Sequence, residues 1–364
     1  MKSIGMDVHS RQTYFCVLDE RGDRVDSGRV ETTEDGLQSL VTRHGEVQVA
    51  IEASTTAWWV QDILKKAGAK VEVTNPYKLK LIAESRAKTD KADAQILAEL
   101  LRIGGLPTPV YVPSADIVEL RQKISLRRQL IKIRTQIICS AKARMRGFGI
   151  KLKPRAFHTS SSWADTMTLY KDHRWYLKPL QEVFEKVEGG INGLVKEMSE
   201  KWDEDPSIKR LQTMCGVGPI VSYTVKASLA DAKRFSSSKQ VSAYAGLVPI
   251  ERSTGETVHR GGITHEGRTE LREALVQGAW AVLRTRKDSA IFLKKFFYTI
   301  MHKRGSQVAI VALARKLLTI AYHILRDEKE FDGTKVQEKK KMEKMFTRQP
   351  SVVELDPVTV AWGS

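Results

Sequence analysis

The sequence predicts a mixed α/β N-terminal domain followed by mostly α-helical middle and C-terminal domains. Three observations carry this. Up to about residue 110, short strand-like apolar runs alternate with runs of helical spacing. Pro107, Pro109 and Pro113 then break the chain. Beyond them, apolar residues recur at helical spacing over stretches too long for strands.

In order, the strand-like runs are Ser3–Asp7, Thr13–Leu18, Arg24–Val30, Val47–Glu52 and Lys70–Thr74. The helix-like runs are Gly36–Arg43, Ala57–Ala67 and Tyr77–Ser85, followed by a helix that carries Asp90 and Asp93 and ends near Arg102. Short turns between the first three strands, with Gly22 in the second, predict an antiparallel meander. The later strands alternate with helices and predict parallel additions. Domain boundaries are expected at 1–110, 113–203 and 205–327, with a mobile charged tail over 328–364.

Residues 115–155 read as one long helix closed by a turn at Gly147 and Gly149. Ile117, Ile124, Ile131 and Ile138 recur every seven residues, and Leu126, Leu130, Ile133 and Ile137 form a second stripe. The segment holds twelve Lys and Arg against Asp116 and Glu119. It suits a helix that packs on a partner and follows phosphate, or an ordinary packed helix with a solvated basic face. Arg127 and Arg134 interrupt any strict coiled-coil seam. A second helix, Pro179–Trp202, can return antiparallel to it, and Pro154–His173 between them is uninformative. Residues 205–325 form a further, mostly helical unit. There Gly216-Val217-Gly218-Pro219 resembles the hairpin of a helix-hairpin-helix, in which small residues let N–H groups approach a phosphate; such turns also serve as plain connectors.

The 364 residues carry a formal charge of +17 and a pI of about 9.7, which points to a polyanion, nucleic acid first and an acidic membrane surface second. Apolar residues make up 41% of the chain, enough for sizeable cores. Arg315 and Lys316 interrupt the apolar stretch Val308–Leu325, which reads as a core helix. Cys16, Cys139 and Cys215 offer neither a disulfide framework nor zinc spacing. With no signal-peptide core near Met1, a reducing cytoplasm is the expected location.

Four acids stand out. Asp7 and Glu52 close short β-like runs, and Asp90 and Asp93, three apart in a helix, share a face. Any one of them alone reads as a solvated surface charge. Brought to one point they would repel unless a cation joins them. Mg²⁺ suits hard oxygen ligands and leaves room for phosphate, so the set suggests phosphodiester chemistry. A second constellation is Ser253-Thr254-Gly255 on a loop, with Arg252, Arg260, Arg268 and Arg272 around it. A hydroxyl there can act as a nucleophile while the arginines hold phosphate. The alternative is a hydroxyl-stabilised turn between helices, with the arginines as general contacts.

These residues resemble the DEDD-type insertion-sequence transposases, the bridge-RNA-guided recombinases. The N-terminal likeness lies in Gly5-Met6-Asp7, Ile51-Glu52-Ala53, Asn75-Pro76 and Lys88-Thr89-Asp90-Lys91-Ala92-Asp93-Ala94. The C-terminal likeness lies in Gly216-Val217-Gly218-Pro219, Ala245-Gly246-Leu247-Val248-Pro249, Ser253-Thr254-Gly255, Gly262-Ile263-Thr264 and Gly267 through Leu271-Arg272. The likeness spans about residues 1–325. It implies an RNase H-like (RuvC-like) domain holding Mg²⁺ on Asp7, Glu52, Asp90 and Asp93. It implies a helical coiled-coil insertion that assembles a homo-oligomer, dimer or tetramer, and a C-terminal domain whose serine attacks DNA. It further implies that one subunit's acidic site is completed by another's serine-bearing domain, and that a structured guide RNA pairs with donor and target. The chain departs from the family pattern at Thr254, where a serine is usual, and at His265 and Arg268, where Lys and Asn are expected. The nucleophile therefore stays open between Ser253 and Thr254.

The expected activity is DNA strand exchange through a covalent hydroxyl–DNA intermediate. It needs no ATP, in line with the lack of a phosphate-binding Gly-x-x-x-x-Gly-Lys-[Ser/Thr] loop. The rival readings are a metal-only nuclease resembling a Holliday-junction resolvase, and a non-catalytic nucleic-acid-binding remnant.

Overall fold

The structure, a computed structural model, describes residues 1–82, 89–254, 257–264 and 266–332. Lys88, the end of the expected helix at Ser85, Gly255, His265 and the tail from Gly333, all drawn on above, lie outside the described residues. The chain divides into two units, Met1–Ala115 and Asp116–Ser364.

The first unit runs β1 (Lys2–Val8), β2 (Gln12–Leu18), β3 (Arg24–Glu31), α1 (Glu34–His44), β4 (Val47–Glu52), α2 (Ala57–Lys66), β5 (Lys70–Thr74), α3 (Pro76–Ile82) and α4 (Asp90–Arg102). Its five strands lie in the order β3-β2-β1-β4-β5. β1, β2 and β3 pair antiparallel, and β1, β4 and β5 pair parallel, the meander and additions expected from the sequence. Alternation along the strands sends Ile4, Met6, Phe15, Val17, Val49 and Ile51 to one face. There they bury against Leu37, Leu40, Val60 and Leu64 of α1 and α2. Each such side chain, fully buried, stabilises the fold by roughly 1.5–3 kcal/mol.

The opposite face presents small residues in the middle strands: Gly5, Cys16 and Ala50. Helix α4 lies on them through Ala94, Leu97, Ala98 and Leu101. The approach is close because Gly5 has no side chain; a Cβ there would stand 2.0 Å from the Ala94 carbonyl oxygen and 2.3 Å from the Ala98 nitrogen.

The second unit runs α5 (Ala115–Gly147), α6 (Ser160–Leu169), α7 (Arg174–Trp202), α8 (Pro206–Gln212), α9 (Pro219–Leu229), α10 (Ser238–Tyr244), β6 (Pro249–Thr254), β7 (Thr257–Ile263), α11 (Thr269–Arg284), α12 (Ile291–Arg304) and α13 (Ser306–Asp327). α5 and α7 form an antiparallel hairpin tied along its length. Lys201 reaches Asp116 at 2.7 Å and Glu119 at 2.8 Å, Lys123 reaches Glu197 at 2.9 Å, and Arg134 reaches Glu188 at 3.0 Å. The chain thus uses much of its own α5 stripe internally, while Leu126 and Ile133 stay exposed.

The sequence expectation needs three corrections. The segment read as uninformative contains α6. Its start is a capping box in which Ser162 stands where Glu or Gln is usual, and Trp163 is fully buried behind it. α7 begins at Arg174 rather than Pro179, so the proline sits inside the helix. It removes one hydrogen bond near the end of the helix, beside the exposed Trp175. The stretch around Ser253, read as a loop, is a strand of the β6–β7 hairpin. α13 is long and apolar enough to cross a membrane by length and composition. In this fold Leu313, Leu317, Ala321 and Tyr322 pack it into the core of the second unit.

Replacing Gly5 with alanine is expected to destabilise the first unit by about 3 kcal/mol, the upper range for overpacking. Urea denaturation followed by far-UV circular dichroism would measure it, and unchanged stability would contradict the close α4–β1 approach.

Candidate metal centre and hydroxyl hairpin

Strand register builds the first site. Met6 pairs with Ile51 in the parallel β1–β4 ladder, so the next residues, Asp7 and Glu52, stand side by side at the strand ends. Asp7 pairs with Tyr14, Tyr14 with Arg29, and Glu52 with Thr74. The result is one row across the sheet, Thr74–Glu52–Asp7–Tyr14–Arg29, on the face that α4 covers. Thr89 caps α4, its Oγ1 accepting the Ala92 N–H at 3.2 Å. Asp90 and Asp93 therefore occupy the first helical turn, where the helix dipole favours negative charge.

His9 joins the two elements. Its Nε2 lies 3.2 Å from Asp7 Oδ2 and 3.4 Å from Asp90 Oδ2. Burial pushes the Asp7 carboxyl above the usual carboxylate range. His9 opposes that rise, and the charges of Asp90 and Asp93 add to it. Ligand atoms of Asp7, His9 and Asp90 all lie within 4.8 Å of one another. This donor set, rich in hard oxygen and short of positive charge, fits a divalent cation. Glu52 and Asp93 stand beside that group without joining it. The sequence analysis passed over His9, although its position two residues beyond Asp7 placed it on the same side of the strand end.

The second constellation lies on the β6–β7 hairpin. Ser253 and Thr254 are the last two residues of β6, paired with Val258 and Thr257. Arg252 pairs with His259, and Glu251 with Arg260. At the hairpin base the backbone of Tyr244–Gly246 crosses that of Glu266–Arg268. A Cβ on Gly246 would meet the Glu266 carbonyl oxygen at 2.0 Å, and one on Gly267 would meet the Tyr244 carbonyl oxygen at 2.2 Å. Arg268 donates from Nε to the Tyr244 hydroxyl at 3.0 Å, and Arg272 donates from Nη1 to the Ala245 carbonyl at 3.1 Å. Both arginines brace this crossing.

Gly216 and Gly218 separate in role. Gly216 has φ +81°, and a Cβ on it would stand 2.4 Å from the Gly278 carbonyl oxygen in α11. It is required by packing. Gly218 caps α9 and faces open space, which leaves the N-terminus of that helix accessible.

The chain is similar to known transposases. A DEDD-type transposase family model, IS110, matches residues 4–149. The model described as Transposase IS116/IS110/IS902 family matches residues 208–294. A putative transposase, y4qE, of Sinorhizobium fredii is 29% identical over 336 residues, covering 88% of this chain and 81% of its own length. The transposase for insertion sequence element IS1111A of Coxiella burnetii is 24% identical and covers 91% of each chain. The pilin gene-inverting protein of Moraxella bovis is 29% identical, covering 72% of this chain and 74% of its own length. The two family matches and these relatives identify the chain as a transposase of the DEDD insertion-sequence type.

Two outcomes follow. A carboxyl whose folded-state pKa is raised binds its proton more tightly in the folded chain, so its contribution to stability is lost as pH rises through that window. Asp7→Asn is therefore expected to raise the metal-free unfolding midpoint at pH 7. It is also expected to abolish the rise that a divalent cation gives wild type, about 2.7 kcal/mol at a hundredfold excess over Kd. Thermal unfolding with and without Mg²⁺ would check both. In the second unit, Gly216→Ala is expected to cost about 2 kcal/mol or more. Gly218→Ala, at the N-cap of α9, is expected to cost less, about 0.5–1 kcal/mol, in the same denaturation assay.

Proposed function

We propose that the protein cleaves and rejoins DNA strands as a metal-dependent transposase, through a covalent bond between a β6 hydroxyl and DNA. The observation that carries this reading is the meeting of Asp7 and Asp90 at the end of β1, in a chain of this transposase family. The five-strand order, an antiparallel meander with parallel additions, supports an RNase H-like, RuvC-like first unit. Asp7, Asp90, Asp93 and Glu52 would hold the cation, for which Mg²⁺ is the natural choice. When bound, it supplies polarisation of the scissile phosphate.

The chain's own groups do the rest. The oxygen of Ser253 or Thr254 bonds to phosphorus, and the bond to one sugar oxygen breaks. That sugar leaves with a proton, and the phosphoester retains the energy for rejoining. Arg252 and Arg260, on the same hairpin, provide positive charge for the phosphate. The net charge of +17 supports long nucleic-acid contacts. By its family the protein would act with a guide RNA and as a homo-oligomer. The pilin gene-inverting protein, by its name, supports inversion as one outcome of such strand exchange.

The test is covalent capture. The protein, co-expressed with its native flanking noncoding DNA, would meet labelled junction DNA with Mg²⁺ on a denaturing gel. Wild type is expected to yield an adduct, and Asp7→Asn is expected to abolish cleavage while retaining DNA binding. Loss of the adduct in Ser253→Ala alone, or in Thr254→Ala alone, names the nucleophile. Cleavage with no adduct in any form would replace this reading with a water-using nuclease.

A further inference from the structure

We infer that His9 is a nitrogen ligand of the metal centre, and that it tilts the site toward Mn²⁺ and away from Mg²⁺. The inference rests on Asp7 and Asp90 being metal ligands, as proposed above, and adds a donor of different chemistry to them.

The geometry is that of neighbouring ligands. A six-coordinate cation with bonds of about 2.1 Å holds adjacent donor atoms roughly 3 Å apart. His9 Nε2 stands 3.2 Å from one carboxylate oxygen and 3.4 Å from the other. A small inward movement of all three donors around a cation satisfies those bonds. The imidazole is positioned for this. Its ring packs edge-on to Tyr14, with centroids 6.2 Å apart and planes at 87°. Tyr14 is itself covered by the Arg29 guanidinium, 5.0 Å from its centroid. Tyr14 and Arg29 belong to the cross-strand row that contains Asp7, so the sheet register sets the imidazole and the carboxylate together. The His9 side chain is 51% exposed, which leaves room on its open side for water or a phosphate oxygen to complete the shell.

The chemical consequence is selectivity. Mg²⁺ prefers an all-oxygen shell, whereas imidazole is a good ligand for transition metals. Removing the nitrogen should therefore cost Mn²⁺ much more than Mg²⁺.

The test uses the full-length protein and Mn²⁺ alone as probe. Pulsed electron paramagnetic resonance of the bound Mn²⁺ is expected to show coupling to a ¹⁴N nucleus in wild type and none in His9→Ala. Calorimetric titration is expected to show Mn²⁺ affinity falling about tenfold or more in His9→Ala, with Mg²⁺ affinity changing less than about threefold. His9→Gln keeps a polar side chain in place and should behave like His9→Ala, which separates loss of the ligand from loss of structure. Persistent ¹⁴N coupling in both variants, or equal losses for the two metals, would overturn the inference while leaving the carboxylate site standing. Unchanged Mn²⁺ binding in Asp7→Asn would instead remove the carboxylate site, and the inference with it.

Discussion

The contact on which the first unit depends is helix α4 lying directly on β1 at Gly5. No side chain separates the helix backbone from the strand backbone there. That contact sets the height of α4 above the sheet, and with it the reach of its first turn. Asp90 sits one helical turn ahead of Ala94, whose carbonyl lies over Gly5, and Asp7 sits two residues beyond Gly5 on the strand. A bulkier residue at position 5 would lift the helix and move Asp90 away from Asp7. The spacing of the acidic centre is thus a consequence of core packing a few ångströms below it.

Such closeness carries an electrostatic penalty. Burial already disfavours the charged form of Asp7, and two further carboxylates add to the repulsion. Three features offset it. The N-terminus of α4 places the positive end of its helix dipole near Asp90 and Asp93. His9 supplies a donor or a positive charge between Asp7 and Asp90. A divalent cation held there would offset the remainder. The acids are therefore held together by packing against their own repulsion, and a cation bound there would stabilise the fold by an amount set by its concentration relative to Kd.

Much of the first unit was legible in the sequence. All five strands and the helix carrying Asp90 and Asp93 fall where apolar periodicity put them, because each element is amphipathic or buried in a pattern that matches its period. The placement of Asp7 on the first strand and of Glu52 at the end of the fourth was also legible, as apolar runs closed by acids. What was not legible has separate causes. His9 matters through its distance to a residue 81 positions away in the chain, and α6 hides behind a capping box written in serine and threonine. The β6–β7 hairpin was read as a loop because Arg252, Ser253, His259 and Arg260 give little apolar alternation. Its strand character comes from the pairing of two polar segments anchored by Pro249 and Ile263 at the base.

That anchoring changes what the C-terminal motif residues mean. Glycines and arginines near a hydroxyl suggest phosphate binding when read along the chain. In the fold, Gly246 and Gly267 allow two backbone segments to cross, and Arg272 fastens the crossing by donating to the Ala245 carbonyl. Arg268 extends the brace to the Tyr244 hydroxyl, under which Arg234 also packs. Gly216 serves the neighbouring helix α11 in the same way. These residues build a rigid base, and the hairpin that carries Ser253 and Thr254 projects from it. Under the proposed mechanism a nucleophile must meet its phosphate within a narrow range of distance and angle, and a braced hairpin base would serve that need. Arg252 and Arg260 lie in the same ladder as Ser253, a placement that follows from strand register alone.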